Sequence, residues 1–127
     1  MSVEELSTKS SPACQEAFTF LREQLKAESN VEETIEYGPL KETDAPSYNI
    51  QEIPLVRVFF GEKLEIFLYI PERSVPKIKA DETVPESLRI WLDRAQLGGI
   101  SRLLRVQLGT KSDVEVLMPL IKAVVLH

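Results

Sequence analysis

Residues 56–71, VRVFFGEKLEIFLYIP, alternate apolar and other side chains with a period of two on both sides of a single glycine, which predicts a β-hairpin around Gly61. Two registers compete. A two-residue turn at Gly61–Glu62 pairs Val58 with Glu65 and mixes the faces. A three-residue loop over 61–63 pairs Val58 with Ile66 and Val56 with Leu68. One face then collects Val56, Val58, Phe60, Leu64, Ile66, Leu68 and Ile70. A one-residue slip would turn every side chain over, so the hydrophobic pattern selects this second register. The opposite face carries Leu55, Arg57, Phe59, Glu65, Phe67 and Tyr69, and is too apolar to be left in water.

Upstream, Cys14, Ala17, Phe18, Leu21 and Leu25 recur at three- and four-residue spacing and predict an amphipathic helix, with Ser11 as N-cap and Pro12 at its first position. Residues 1–10 show no apolar period and read as a flexible tail, leaving 11–127 as a single domain. VEETIEY, residues 31–37, reads as a short edge strand ending in a turn at Gly38–Pro39. Prolines at 46 and 54 make residues 41–54 a loop with a short strand around Tyr48–Glu52.

Residues 71–83 form a proline-punctuated connection with room for a strand at Lys77–Lys79. TVPE, with Thr83 and Glu86, has the spacing of a capping box. It precedes Leu88, Trp91, Leu92 and Ala95 on one helical stripe, which Gly98–Gly99 ends. RLLRVQL is a strand. SDVE, with Ser112 and Glu115, is a second capping box, opening a helix with Val114, Leu117, Met118, Ile121 and Val125 on its apolar side and a kink at Pro119. The expected fold is α+β, a mainly antiparallel sheet of four to five strands with three helices packed on it.

At 127 residues, 43% hydrophobic and 28% charged, the chain has the make-up of one globular domain. No apolar run approaches the ~20 residues of a membrane span, and the first residues carry acids where a secretory signal carries bases. The expectation is a cytoplasmic protein without membrane contact. A single cysteine, Cys14, and a single histidine, His127, exclude a disulfide framework and the usual zinc sites, so no metal is expected. The net charge of -5 is uneven: residues 1–54 hold 11 acids and 4 bases (-7), residues 55–127 hold 9 acids and 11 bases (+2).

Cys14 sits in a first helical turn, where a thiol can be activated, but it shares the apolar stripe and has no histidine near it in sequence. Glu42, Asp44 and Glu52 flank a polar loop that lacks the desolvation an acid–base pair needs. Gly98–Gly99 precedes a strand, not a helix, so it does not form a phosphate-binding loop. Arg89, Arg94, Arg102 and Arg105 are the only basic concentration, with five bases against two acids over 86–111, and are the candidate nucleic-acid contacts. The outer hairpin face, Arg57, Phe59, Glu65, Phe67 and Tyr69, either lies beneath one of the chain's own helices or, left uncovered, has the composition of an interface core.

The segments EKLEIFLYIP and LGGISRLLRVQLGTKSDVEVLMPLIKAV, a little over half the chain with their surroundings, resemble the MmcQ/YjbR-like small bacterial domains in layout. That resemblance implies a small α/β domain and a DNA-binding role falling on Arg102 and Arg105. The chain departs from those domains at Ala123 and Val124, where they often carry an aromatic pair. The residues themselves contain no base–nucleophile pair, phosphate loop or cofactor fingerprint, so no cofactor and no catalytic residue is assigned. The leading expectation is a non-catalytic interaction module that binds a protein partner or a second copy of itself. The alternatives are a nucleic-acid-binding domain and an enzyme that relies on Asp, Glu, Arg and Tyr alone.

Overall fold

The structure is a computed structural model that describes residues 2–127. Among these residues the chain forms α1 (Val3–Ser7), α2 (Pro12–Lys26), β1 (Glu32–Gly38), β2 (Thr43–Ile50), β3 (Ile53–Phe59) and β4 (Leu64–Pro71). A 3-10 turn (Glu72–Ser74), α3 (Val75–Lys79), α4 (Glu86–Arg94), β5 (Gln96–Gly98), β6 (Ser101–Leu108) and α5 (Lys111–Leu126) follow. The strands make one antiparallel sheet in the order β1-β2-β3-β4-β6-β5. The α+β architecture holds, with one strand more than the upper expectation and two short helices in addition. No helix is long and apolar enough to cross a membrane among the described residues.

The hairpin takes the register that its hydrophobic pattern selects. Val56 faces Leu68 and Val58 faces Ile66, and β6 extends the same layer by placing Leu104 on Leu68 and Leu108 on Leu64. On this face, buried side chains from every helix meet the strands in the main core. Phe60 is only partly buried, its ring meeting Phe18 edge-on at 4.9 Å. α2 begins as its sequence signals require, with the Ser11 hydroxyl accepting from the Cys14 N–H and Pro12 opening the helix.

Several expectations need correction. The N-terminal stretch read as a flexible tail contains α1, capped by Ser2, with Val3 and Leu6 buried. Two apolar residues on one turn suffice once a core is present to receive them. β2 runs through Pro46 because Pro46 pairs only with β1; the β2–β3 ladder begins at Ser47, so the missing N–H breaks no bond on that side. Leu55 belongs to the main core, not the outer face: Tyr48 pairs with Val56 and Asn49 with Pro54, leaving Leu55 as the extra residue of a β-bulge.

The Lys77–Lys79 segment is helical, in α3. Thr83 does not cap α4, because its N–H and hydroxyl both donate to Asp81 Oδ1 at 2.9 and 2.6 Å. Those bonds, with His127 on the other oxygen, hold the Asp81 pKa down at about 2. Gly98–Gly99 is no helix stop: α4 ends at Arg94 and the glycines turn β5 into β6, with Gly99 at φ +80°. The cap of α5 lies two residues before the predicted one. Thr110 Oγ1 accepts from the Asp113 N–H, and Asp113 Oδ2 accepts from the Thr110 and Gly109 N–H groups. α5 continues across Pro119 as one helix.

A polar chain, buried at Tyr48 and open to solvent at Glu4, ties the sheet's acidic edge to the helices. Arg22 of α2 donates from Nε and Nη2 to Glu33 of β1 at 2.7 and 2.9 Å, and the Tyr48 hydroxyl donates to the same carboxylate at 2.8 Å. Nη1 of Arg22 reaches Glu4 of α1 at 2.8 Å. Burial works to raise the Glu33 pKa, but the Arg22 and Tyr48 hydrogen bonds outweigh it and hold the carboxyl below its usual range. Burial and the Glu33 carboxylate push the Tyr48 phenol up.

Two predictions follow from these elements. A carboxylate depressed in the folded state stabilises above its unfolded pKa, and that stability disappears as pH falls through the folded value. Glu33→Gln is expected to lose about 1.5–3 kcal/mol near pH 7 and to lose less than the parent as urea titrations move below about pH 4.5. Parallel acid slopes for the two proteins would contradict the assignment. The second prediction concerns the β2–β3 turn, where Gln51 and Glu52 both have positive φ (50° and 68°), a conformation that favours Asn-Gly. Gln51→Asn/Glu52→Gly is expected to raise stability by about 1 kcal/mol, visible as a higher melting temperature.

Candidate interaction face

The face of the sheet away from the helices is assembled from alternate residues of each strand: Ser47 and Asn49 of β2, Arg57 and Phe59 of β3, Glu65, Phe67 and Tyr69 of β4, Leu103 and Arg105 of β6. Its centre is a second, small apolar cluster of Ala45, Phe59 and Phe67, with Tyr69 and Leu103 against it and no residue from a helix. The Phe59 and Phe67 rings lie 4.7 Å apart at a tilt of 56°.

These two aromatics are only 4% and 2% exposed, so the expectation that they anchor an external partner needs correction. They are covered from within the chain, by side chains rather than by a helix. The Arg105 guanidinium lies over the Phe67 ring, 4.9 Å from its centre. Glu65 accepts from Arg105 at 3.3 Å and pairs with Lys41 at 3.1 Å, so three charged groups roof the pair. Burial pushes the Glu65 carboxyl up, but Lys41 and Arg105 together hold it below the ordinary carboxylate range. On β1, a Cβ on Gly38 would lie 2.6 Å from the Phe59 ring edge, so the ring occupies the space that a side chain there would fill.

Arg57 is also engaged. It donates to Ser47 Oγ at 3.3 Å and lies over the Tyr69 ring at 5.8 Å. Ser47 donates to Asn49 Oδ1, and the Asn49 amide donates to Thr34 Oγ1, closing a polar net over β1, β2 and β3. Of the expected contact set, Tyr69 retains partial exposure toward an open apolar end.

That end is what the sequence reading missed. The β2–β3 turn, the end of β4 and the β5–β6 turn surround a hollow of about 800 Å³ lined by Ile53, Pro54, Tyr69, Pro71 and Ile100, with Arg73 at its border. Ile100 is 89% exposed and Ile53 59%. The adjoining hollow carries the lining on to Leu126, also exposed, at the end of α5. Ile53 next to a proline and Ile100 after two glycines looked like turn residues, and turn residues carry no periodic signal.

The structure does not bring the four candidate arginines onto one surface. Arg102 and Arg105 are three apart on a strand and therefore lie on opposite faces: Arg102 pairs with Ile70 on the helix side, Arg105 with Phe67 outside. Arg102 is withdrawn into structure, donating to both oxygens of Glu72 and, at 2.7 Å, to the Leu92 carbonyl near the end of α4. Arg89 donates to the Lys79 carbonyl, while Arg94 is exposed.

The remaining candidates are also placed. Cys14 is buried, and its thiol donates to the Glu62 carbonyl at 3.2 Å. Glu42 and Asp44 lie at one end of β2 and Glu52 at the other, roughly 25 Å apart along an eight-residue strand, so they form no pair. Among the described residues the carboxyls with a displaced pKa are all displaced downward, held there by hydrogen bonds, most of them also by neighbouring cations. No family model matches the chain, and no curated protein or solved structure matches it.

If the aromatic pair is internal, Phe67→Ala should cost the ~3–5 kcal/mol of a core phenylalanine. Chemical denaturation is the check. A loss under about 1 kcal/mol would return Phe67 to the surface.

Proposed function

We propose that the protein is a non-catalytic interaction module of the cytoplasm, whose contact surface for a protein partner or a second copy is the apolar end of the outer face. The observation that carries this reading is the exposure of Ile53 and Ile100 around an apolar hollow of about 800 Å³. Fully burying one such side chain is worth about 1.5–3 kcal/mol, so a partner that covers both, with Tyr69 and Pro71, gains much of the energy of a modest interface. Arg73, exposed at the border, supplies a charged rim. Buried, unpaired Cys14 suits a reducing compartment.

The contact surface is thus displaced from the one read in the hairpin. Phe59 and Phe67 pack beneath the face, and Tyr69 links their cluster to the hollow.

Ile53→Asp/Ile100→Asp should keep the fold within about 1 kcal/mol of the parent, since both side chains are already largely in water. The same variant should lose self-association in sedimentation velocity, or lose the partner that the parent retains in quantitative cross-linking from its source cells. A variant that keeps every association of the parent would remove the apolar end from the account.

A further inference from the structure

We propose that the free edge of β6, over Leu104–Leu108, accepts an extended acidic segment of a protein partner as an added strand. β5 pairs with β6 only over Ser101–Leu103, yet β6 continues to Leu108. Among the described residues no strand pairs with this length on the side away from β4. Alternate residues of such an edge turn unpaired N–H and C=O groups outward, a template for another strand.

The two edges of the sheet are treated differently. β1 carries Glu32, Glu33 and Glu36, charges of the kind that discourage edge pairing. The free part of β6 has no acid, proline or glycine, and the eight successive pairs that β6 as a whole makes with β4 contain no bulge. It is a regular edge whose one charge, Arg105, repels a cationic strand and favours an acidic one.

Beside it lies a groove of about 490 Å³ lined by Trp91, Arg94, Ala95, Arg105 and Val106. Side chains of an added strand would alternate between its two sides. On the helix side, Trp91 and Val106 are both half-buried and offer an apolar shelf. On the outer side, Arg105 and Gln107 are exposed. Arg94, at the end of α4, is exposed and takes part in none of the ion pairs among the described residues. The fitting ligand alternates apolar and acidic residues, its main chain supplying affinity and the arginines selecting its charge.

A second copy fits less well. Two β6 edges paired antiparallel about a two-fold axis would bring their Arg105 side chains near one another on the outer face, and like charges across a ladder destabilise it. The edge shares no residue with the apolar end, so this inference stands apart from the function proposed above.

The test uses the full chain and short peptides that alternate glutamate with valine. Trp91 is the single tryptophan, so its fluorescence reports on the groove directly. The glutamate peptide is expected to bind, to shift Trp91 emission and to slow amide exchange over residues 104–108. A lysine–valine peptide, and a glutamate peptide N-methylated at alternate residues, should bind about tenfold more weakly or not at all. Arg94→Glu and Gln107→Glu, both at exposed positions, should each weaken the glutamate peptide while leaving the melting temperature in place. Equal binding of the N-methylated or lysine peptides, no binding at all, or protection outside residues 104–108 would overturn the proposal. So would a dimer of the protein alone that protects the same amides, which would make the occupant a second copy.

Discussion

The helices of this chain pack on one face of its sheet, so the other face has to be closed by side chains that rise from the strands themselves. Much of the molecule follows from that constraint. The helix side takes the long apolar rows set by the β3–β4–β6 register. Among the described residues the outer side buries a small apolar cluster of Ala45, Phe59 and Phe67, and it covers them with Arg105, Glu65 and Lys41. An arginine can do this because its guanidinium lies flat on an aromatic ring while its edge stays hydrogen-bonded. The roof covers the middle of the face and stops before the Ile53–Ile100 end, where apolar side chains remain in water. The exposed apolar surface is therefore defined by where intramolecular cover runs out.

The edges of the sheet show the same economy of material. β1 is tied to the helices through Arg22, Glu33 and Tyr48, and its remaining acids face solvent. β6 is followed on its far side by three residues of β5 and then by the descent into α4, which leaves a groove instead of a strand. A chain of this length covers a six-stranded sheet incompletely, and the uncovered parts are not alike: one is apolar, the other cationic with unpaired backbone.

Much of the main core was legible beforehand, because period-two and period-3.6 patterns depend on burial on one side only. The β3–β4 register, the α2 stripe and its Ser11 cap follow from neighbouring residues. What was not legible depended on contacts distant in sequence. Pro46 is compatible with β2 only because β3 pairs no further than Ser47, and Thr83 is diverted from α4 by Asp81. The β2–β3 turn uses Gln51 and Glu52 in a backbone conformation that their residue types do not advertise. The outer face was identified as unusual but its cover was not, since Lys41 and Arg105 lie 24 and 40 residues from Glu65 in the chain. The opposite orientation of Arg102 and Arg105 follows from strand alternation alone.

Hydroxyl-radical footprinting read out by mass spectrometry addresses both halves of this account in one experiment, because it reports the solvent exposure of individual side chains. Tyr37, 58% exposed, serves as the internal standard for a surface aromatic. The account predicts that Phe59 and Phe67 are oxidised far more slowly than Tyr37, while Ile53 and Ile100 react at the rates of free aliphatic side chains. Oxidation of Phe59 and Phe67 as fast as Tyr37 would mean that the outer face is open, and would contradict the self-closed sheet on which the rest depends.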